Sequence, residues 1–351
     1  MRWLAALVGV FLVVSVLLDM VNTLIATQTS NSRWWLSRIV AVRSWRLFRS
    51  VGVRLSEGPA RNRVLGSYAP FLVLLLLVIW VGQQVVGFGL LWWGLGGVDG
   101  VDGLFENVYY SGVVFFTVGF GEVVPSAAVP RIGALVEAFS GVLTTALVIG
   151  YLPALYTAFS ERERKLMTLD DGTEERITPT NLVLAWAPDA DVDDLVARFA
   201  DWEDWVAGII ETHTTFPMLR FFRSHHEGQH WVTALGLLSD AALHCEIIRG
   251  ADRRAPYWML RRSIRLFQEL TEGVDLSAYE HTPGTDSLFR DLYDALDSHG
   301  FDLYPFEEAA AHAGELRSKF GPPLEYLIDA SLAPRGFWGH NIGHRRRTAG
   351  S

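Results

Sequence analysis

The chain has 351 residues, of which 50% are apolar, and a formal net charge of −9, so it has room for a membrane unit and one soluble domain. A single cysteine, Cys245, excludes an intramolecular disulfide and any metal site built from several cysteines. Residues 160–351 carry 20 basic and 32 acidic side chains, and this acidic balance does not suit a nucleic-acid partner.

The first predicted element is a membrane-spanning helix within residues 1–27. The apolar run from Trp3 to Ala26 has the length of ~20 residues that a spanning helix needs. A secretory signal peptide is the competing interpretation. Arg2 is the only charge before the run and no clear small-residue cleavage site follows it, so a retained helix is favoured. Asp19 is costly in lipid, and we expect it to face protein or to lie near the inner interface.

Residues 28–67 form a predicted basic linker with eight arginines, no lysine and one acid, Glu57. Tryptophans and aliphatic residues alternate with the arginines at helical spacing. This pattern is typical of a helix that lies in the bilayer interface, with residues 33–55 bound to anionic headgroups. A basic loop of no particular shape is the alternative. In either case the excess of arginine predicts a cytoplasmic linker, and therefore an N-terminus outside.

Residues 68–160 form the predicted pore domain. Its parts are an apolar span, a glycine-rich stretch, a short helix, a loop and a last apolar span, at residues 68–93, 94–103, 104–116, 117–122 and 131–159. Gln83 and Gln84 are unfavourable in lipid and are expected to face a neighbouring helix. The glycine-rich stretch lacks the strand, helix and lysine of a phosphate-binding loop. It is predicted to be a flexible outer turret.

The loop reads Thr-Val-Gly-Phe-Gly at residues 117–121, followed by Glu122. It resembles the TVGYG selectivity filter of the bacterial two-helix potassium channels. The resemblance extends without a gap from Tyr109 to Gly141. In that family four copies of the loop point their backbone carbonyl oxygens at one axis and replace the hydration shell of K⁺. Such a backbone passes through conformations that glycine adopts most easily.

The resemblance implies K⁺ sites at residues 117–120, a homotetramer, and K⁺ as the permeant ion without any cofactor. The filter residues it implies are Thr117, Val118, Gly119, Phe120 and Gly121, with Glu122 at the mouth. In the last span it implies bends, cavity-lining residues and an inner constriction. These positions are Gly141, Gly150 and Pro153 for the bends, Val142, Thr145 and Ile149 for the cavity, and Ala154 and Thr157 for the constriction.

Two positions depart from the family pattern. Phe120 stands where the family usually has tyrosine. Val113 stands where some relatives have an acid that partners the one at Glu122, so we expect Glu122 to lack that partner. Glu137 is an acid two turns into the last span. Two possibilities stay open for Glu137: its side chain pairs with a polar group behind the filter, or it is held protonated.

Residues 161–179 form a predicted polar linker, and residues 180–351 a predicted cytoplasmic all-α domain. Helical periodicity recurs at residues 180–187, 190–213, 229–249, 256–271, 285–299 and 304–331, with proline breaks at 217, 256, 283 and 322. No glycine-rich nucleotide-binding fingerprint occurs. The stretch Glu211–His226 resembles the tails of an uncharacterised group of bacterial channel proteins, which supplies no activity.

Two histidine pairs have the four-residue spacing that can share a helix face, His226 with His230 and His340 with His344. A metal needs a third ligand, and the glutamate spacing of zinc proteases is absent, so surface or packing histidines are favoured. The tryptophans at 202, 205 and 231 are predicted to be domain core.

The sequence therefore predicts an all-α, multi-pass protein of the cell membrane with three spanning helices and a re-entrant pore loop. The predicted function is passive, potassium-selective conduction without enzymatic activity. The alternatives are a membrane-anchored sensor or enzyme that acts through the tail, and a potassium transporter subunit. The sequence does not indicate the gating stimulus or the ligand of the tail.

The arginine asymmetry generates a topology prediction. Reporter fusions should place residues 28–67 and residues after 160 in the cytoplasm, and the stretch Gly94–Gly103 outside, because positively charged loops are retained inside. A reporter in Gly94–Gly103 with cytoplasmic behaviour would contradict the orientation of the pore loop.

Overall fold

The structure is a computed structural model that describes residues 2–24, 36–56, 58–169, 177–224, 228–250, 254–279 and 285–334. These residues form two compact units. The membrane unit contains residues 1–48, 67–158 and 213–220. The tail unit contains residues 49–66, 159–212 and 221–351.

Helices dominate the first half of the chain. They are α1 (Arg2–Leu24), α2 (Leu36–Arg54), α3 (Pro59–Gly66), α4 (Tyr68–Leu95), α5 (Leu104–Phe115) and α6 (Ala128–Leu166). Within the described residues, three stretches are long and apolar enough to cross a membrane, Arg2–Leu24, Pro59–Leu95 and Ala128–Leu169. The predicted all-α membrane fold with three spanning helices is confirmed.

Small residues let α1 and α4 approach closely in the membrane unit. A Cβ at Gly9 would lie 2.4 Å from the carbonyl oxygen of Gly87, and a Cβ at Gly94 would lie 2.6 Å from the backbone of Ala6. Close backbone approach at small residues is a common way for helices to associate in lipid. The first span is therefore packed along the second.

Polar side chains add a second link between these helices. The Asp19 carboxylate accepts hydrogen bonds from the backbone N–H and the hydroxyl of Ser37, and from Trp80 Nε1 at 2.8 Å. Asp19 is 1% exposed, and its partners come from α2 and α4. The expectation that Asp19 faces protein is met by this geometry. Gln83 donates to the carbonyl oxygen of Leu12 at 3.1 Å.

The aromatic side chains of α2 pack on the start of α4. The Trp45 and Phe48 rings lie 4.9 and 5.1 Å from the Tyr68 ring. The Tyr68 hydroxyl donates to the carbonyl oxygen of Ala41 at 2.6 Å. These two aromatic rings therefore contact protein, whereas the exposed face of α2 carries arginine and aliphatic residues. Arg33, Trp34 and Trp35 lie outside the described residues.

The glycine-rich turret is more ordered than predicted. Two short strands, β1 (Val98–Asp99) and β2 (Val124–Pro125), pair in antiparallel register with Val98 opposite Pro125. Gly97 has a φ of +84°, and a Cβ there would lie 2.9 Å from Pro130 Cγ. The expectation of a flexible turret was wrong at this point because the pairing partner follows the loop in sequence, beyond the reach of local composition.

Six further α-helices lie in the part of the tail unit that the structure describes. They are α7 (Pro179–Trp186), α8 (Val192–Thr215), α9 (Trp231–Cys245), α10 (Arg254–Leu270), α11 (Thr285–His299) and α12 (Phe306–Ser331). Residues 213–215, at the end of α8, group with the membrane unit. The predicted helical segments match these bounds closely. Pro322 was expected to break the last segment, but α12 continues through it.

The centre of the tail unit is α9, whose 15 residues are all buried. It packs against α7, α10 and α12. The His230 imidazole caps its N-terminus by accepting from the backbone N–H of Val232 at 3.2 Å. The tryptophans expected in the core are buried there, at positions 202, 205 and 231.

Arginines stabilise the C-terminus of α12. Arg223 donates to the carbonyl oxygens of Ser331 at 2.7 Å and of Leu332 at 3.1 Å, and Arg49 donates to that of Asp329 at 3.3 Å. Cations are favourable at this end of a helix because the last carbonyl groups carry partial negative charge. Residues 49–66, assigned from sequence to a linker, are thus part of the tail unit. The domain boundaries proposed from sequence remain predictions.

A buried acid in α9 generates a prediction about pH. Burial raises the pKa of Asp240 from 3.8 to about 6, although Arg317 lies 3.2 Å away and opposes the rise, and Glu325 adds to it. The folded state therefore holds a proton that the unfolded state releases between these values, so Asp240 contributes a fall in stability as pH rises through this window and no change above it. His244, whose pKa is lowered to about 3, contributes a rise over an overlapping range, so the contribution of Asp240 is read from the difference between variants. Asp240→Asn should reduce this fall.

The measurement is the midpoint of thermal unfolding, by circular dichroism, at several pH values from about 4 to about 7. Asp302→Asn is the control, because the Asp302 side chain is 76% exposed. If Asp240→Asn showed the same pH dependence as the wild-type protein, the raised pKa of Asp240 would not be a source of that dependence.

Candidate ion pathway

The loop after α5 returns toward the end of that helix through backbone hydrogen bonds. The N–H of Thr117 donates to the carbonyl oxygen of Val114 at 3.0 Å, and the N–H of Val118 donates to that of Val113 at 2.9 Å. These bonds anchor the start of the loop to the C-terminal turn of α5. That turn carries partial negative charge, which is favourable for a cation nearby.

Three residues of the loop have left-handed backbone conformations. The φ angles are +54° at Thr117, +64° at Gly119 and +80° at Gly121. A Cβ at either glycine would meet no atom within 4 Å, so the conformation alone, and not crowding within one chain, makes glycine suitable. Sequence reasoning did not anticipate Thr117, a residue type that seldom adopts such angles.

The loop is exposed in the single chain. The Val118 and Phe120 side chains are 49% and 67% exposed. Both side chains therefore lie largely outside the packing of their own chain.

Glu122 has a partner that the sequence did not reveal. The Tyr109 hydroxyl donates to Glu122 Oε1 at 2.6 Å, from the second turn of α5. Val113 offers no acidic partner to Glu122, as expected, and the Tyr109 hydroxyl supplies a different one. Tyr109 lies one turn earlier than Val113 on the same face of the same helix.

Glu137 lies behind the loop and is completely buried. Its Oε1 atom contacts the Ser111 hydroxyl on α5, and its Oε2 atom accepts from Trp92 Nε1 on α4 at 2.7 Å. Gly133 on α6 makes room for the indole, since a Cβ there would lie 2.2 Å from the Trp92 ring. Three helices therefore meet at one carboxyl group.

A second polar contact joins α4 to α6 one turn further along. Gln84 Nε2 donates to Thr144 Oγ1 at 3.0 Å, and Gln84 Oε1 accepts from the Ser140 hydroxyl. Gln84 is fully buried, as expected for a residue that faces a neighbouring helix. Its side chain fixes the register of the two spans.

Gly141 allows α6 to contact the end of α5. A Cβ at Gly141 would lie 2.1 Å from the carbonyl oxygen of Phe115, the residue that ends α5. This close approach is a structural reason for glycine besides the predicted bend. The other two candidates for a bend, Gly150 and Pro153, lie within the continuous helix α6.

The residues expected to line a cavity share the exposed side of α6. Val142, Thr145 and Ile149 are all exposed, whereas Glu137 and Thr144 point into the unit. Ala154 and Thr157, expected at the inner constriction, are exposed as well. One side of α6 therefore forms hydrogen bonds with α4 and α5 of its own chain, and the opposite side is exposed.

The tail unit has features that sequence reasoning missed. A cavity of about 250 Å³ is lined by residues that include Glu246, Glu308 and His312. Among the described residues, no three histidine, cysteine or acidic side chains are placed to hold a metal ion. Of the two histidine pairs, only His230 is described, and its Nδ1 atom caps α9. Burial lowers the pKa of His244 to about 3, with Arg317 acting in the same direction.

Comparisons with known proteins support an ion channel. Residues 73–158 match the family model described as "Ion channel". The chain is 24% identical over 194 residues to an uncharacterized membrane protein of Bacillus subtilis (strain 168), YdjJ. That alignment covers 51% of this chain and 53% of the relative, so the chain spans about half the length of that protein. No solved structure matches.

The two adjacent glutamines generate a prediction about packing. Gln84→Leu removes the two hydrogen bonds of Gln84 to Ser140 and Thr144 of α6. The buried hydroxyls then lose this partner, at a cost of ~1–3 kcal/mol. Hydrogen–deuterium exchange of residues 137–148 should accelerate. Gln83→Leu is the matched control, because Gln83 donates to Leu12 and Ser15 of α1 and not, among the described residues, to α6. Equal exchange of this segment in the two variants would refute the assignment.

Proposed function

We propose that the protein is a potassium-selective channel in which four copies of the loop 117–121 surround one ion path. The observation that carries the proposal is the backbone of this loop. Left-handed Gly119 and Gly121 follow a short helix and lie between two apolar spans. The family match to an ion channel covers the same region.

The mechanism rests on backbone carbonyl groups and needs no cofactor. Carbonyl oxygens of residues 117–120 and the Thr117 hydroxyl replace the water around K⁺, so dehydration of the ion costs little. Conduction is passive and follows the electrochemical gradient. The exposure of Val118 and Phe120 in one chain is consistent with a loop that forms only one wall. Neighbouring subunits then supply the missing support and a homotetramer closes the path.

The proposed orientation places the N-terminus outside and the linker and tail unit in the cytoplasm. In this arrangement α2 contacts anionic lipid headgroups. Its exposed face combines Arg38, Arg43 and Arg46 with the aliphatic Val42 and Leu47, and such a mixture suits the boundary between headgroups and acyl chains.

Two other functions are less well supported. A potassium transporter subunit would carry several unequal pore loops on one chain, and this sequence has one. A membrane-anchored sensor or enzyme would act through the tail unit, where the cavity beside Glu246 is a candidate binding site.

Gly119 provides the decisive test. At a φ of +64°, an alanine side chain costs roughly 1–2 kcal/mol per residue, and a tetramer repeats this strain four times. The loop should relax by turning a carbonyl group away, which removes part of the K⁺ site. Gly119→Ala should therefore abolish K⁺-selective flux in proteoliposomes while membrane insertion and oligomer size stay unchanged.

Gly82→Ala is the control. Gly82 lies within α4, and a Cβ there meets no atom within 4 Å. This variant should conduct normally. Normal K⁺ over Na⁺ selectivity in Gly119→Ala would contradict the proposed channel function.

A further inference from the structure

The contacts of Glu137 determine where its proton is. The Ser111 hydroxyl lies within hydrogen-bond distance of two acceptors, Glu137 Oε1 and the carbonyl oxygen of Val85 at 2.8 Å. A hydroxyl group has a single proton to donate. If Ser111 donates to Glu137, the oxygen atoms of Ser111 and Val85 face each other at 2.8 Å with no proton between them.

A proton on Glu137 removes this conflict. Glu137 Oε1 then donates to Ser111, Ser111 donates to Val85, and Trp92 Nε1 donates to Glu137 Oε2. Every donor in this chain of contacts has one acceptor. An ionised Glu137 leaves one oxygen–oxygen contact unbridged.

The surroundings of Glu137 give a second, independent reason. Its side chain is completely buried, and both of its hydrogen-bond partners are neutral. No lysine, arginine or histidine occurs in the sequence between Arg63 and Arg131, so α4 and α5 bring no cation to it, and Arg131 on α6 donates instead to the carbonyl oxygen of Pro125 at 3.1 Å. A buried carboxylate without a cation is far more costly than a buried carboxylic acid.

Asp19 is a buried acid of the same unit with a different set of partners. It is as deeply buried as Glu137, but it accepts from the backbone N–H and the hydroxyl of Ser37 and from Trp80 Nε1. All of these contacts are donors, and one carboxylate can accept them all. The two acids therefore differ in their partners and not in their burial.

We propose that Glu137 is a neutral carboxylic acid that donates its proton to Ser111 and so positions α5 between α4 and α6. Glu137 contacts no ion and acts through Ser111. The hydroxyl of Ser111 lies on the helix whose last turn anchors Thr117 and whose Tyr109 braces Glu122. The consequence for conduction rests on the proposed channel function, whereas the protonation does not.

Infrared spectroscopy of the full-length protein in lipid at neutral pH tests the protonation directly. The wild-type protein should show the carbonyl stretch of a protonated carboxylic acid that is lost in Glu137→Gln. Asp19→Asn is the control and should leave this band in place, because Asp19 has only donors as partners and is not the source of the band. A wild-type spectrum identical to that of Glu137→Gln in this region would overturn the protonation.

Hydrogen–deuterium exchange of residues 109–122 tests the positioning role. Glutamine can still donate to Ser111 and accept from Trp92, so Glu137→Gln should exchange at the wild-type rate. Glu137→Leu keeps the volume but neither bond, and its exchange should be faster by about tenfold, as expected when buried polar groups lose a partner. Equal rates in these two variants would overturn the role.

Flux measurements on the same proteins separate this inference from the proposed function. Glu137→Gln should retain K⁺ selectivity, and Glu137→Leu should lose about tenfold of it, as expected for a buried bond that is lost. This result would support both the positioning role of Glu137 and the proposed channel function. If the wild-type protein does not select K⁺, the proposed function fails, while the infrared and exchange results still decide the inference.

Discussion

The membrane unit depends on one constraint, that polar side chains within the spans must find partners inside the protein. Lipid offers no hydrogen bonds, so each unpaired polar group costs several kcal/mol. Asp19, Gln84 and Glu137 meet this requirement on successive parts of the unit. Because each partner lies on another helix, satisfying the polar groups also sets the register in which α1, α4, α5 and α6 pack.

Glycine completes this packing. Gly9 and Gly94 let α1 and α4 touch, Gly133 accommodates the Trp92 ring, and Gly141 accepts the last carbonyl of α5. These are requirements of space, satisfied by residues with ordinary helical angles. The loop glycines serve a different purpose, since Gly119 has open surroundings and a left-handed backbone. The same residue type thus supports close helix packing in the scaffold and unusual conformation in the candidate ion path.

The tail unit is organised around a central helix. This helix, α9, is buried along its whole length, and its acid Asp240 is paired with Arg317. Chain segments far apart in sequence meet at the end of α12, where Arg49 and Arg223 bind the last carbonyl groups. The linker that precedes α4 is therefore held by the same unit as the C-terminal helix.

The sequence alone determined the three spans, the helices of the tail and the places where glycine is needed in the loop. Hydrophobic periodicity and residue type report local burial and backbone angle, which neighbouring residues control. The tertiary structure alone decided the partners. Tyr109 with Glu122, and Glu137 with Ser111 and Trp92, lie 13, 26 and 45 residues apart. Pairings over such separations depend on how helices pack, and local pattern carries no record of that.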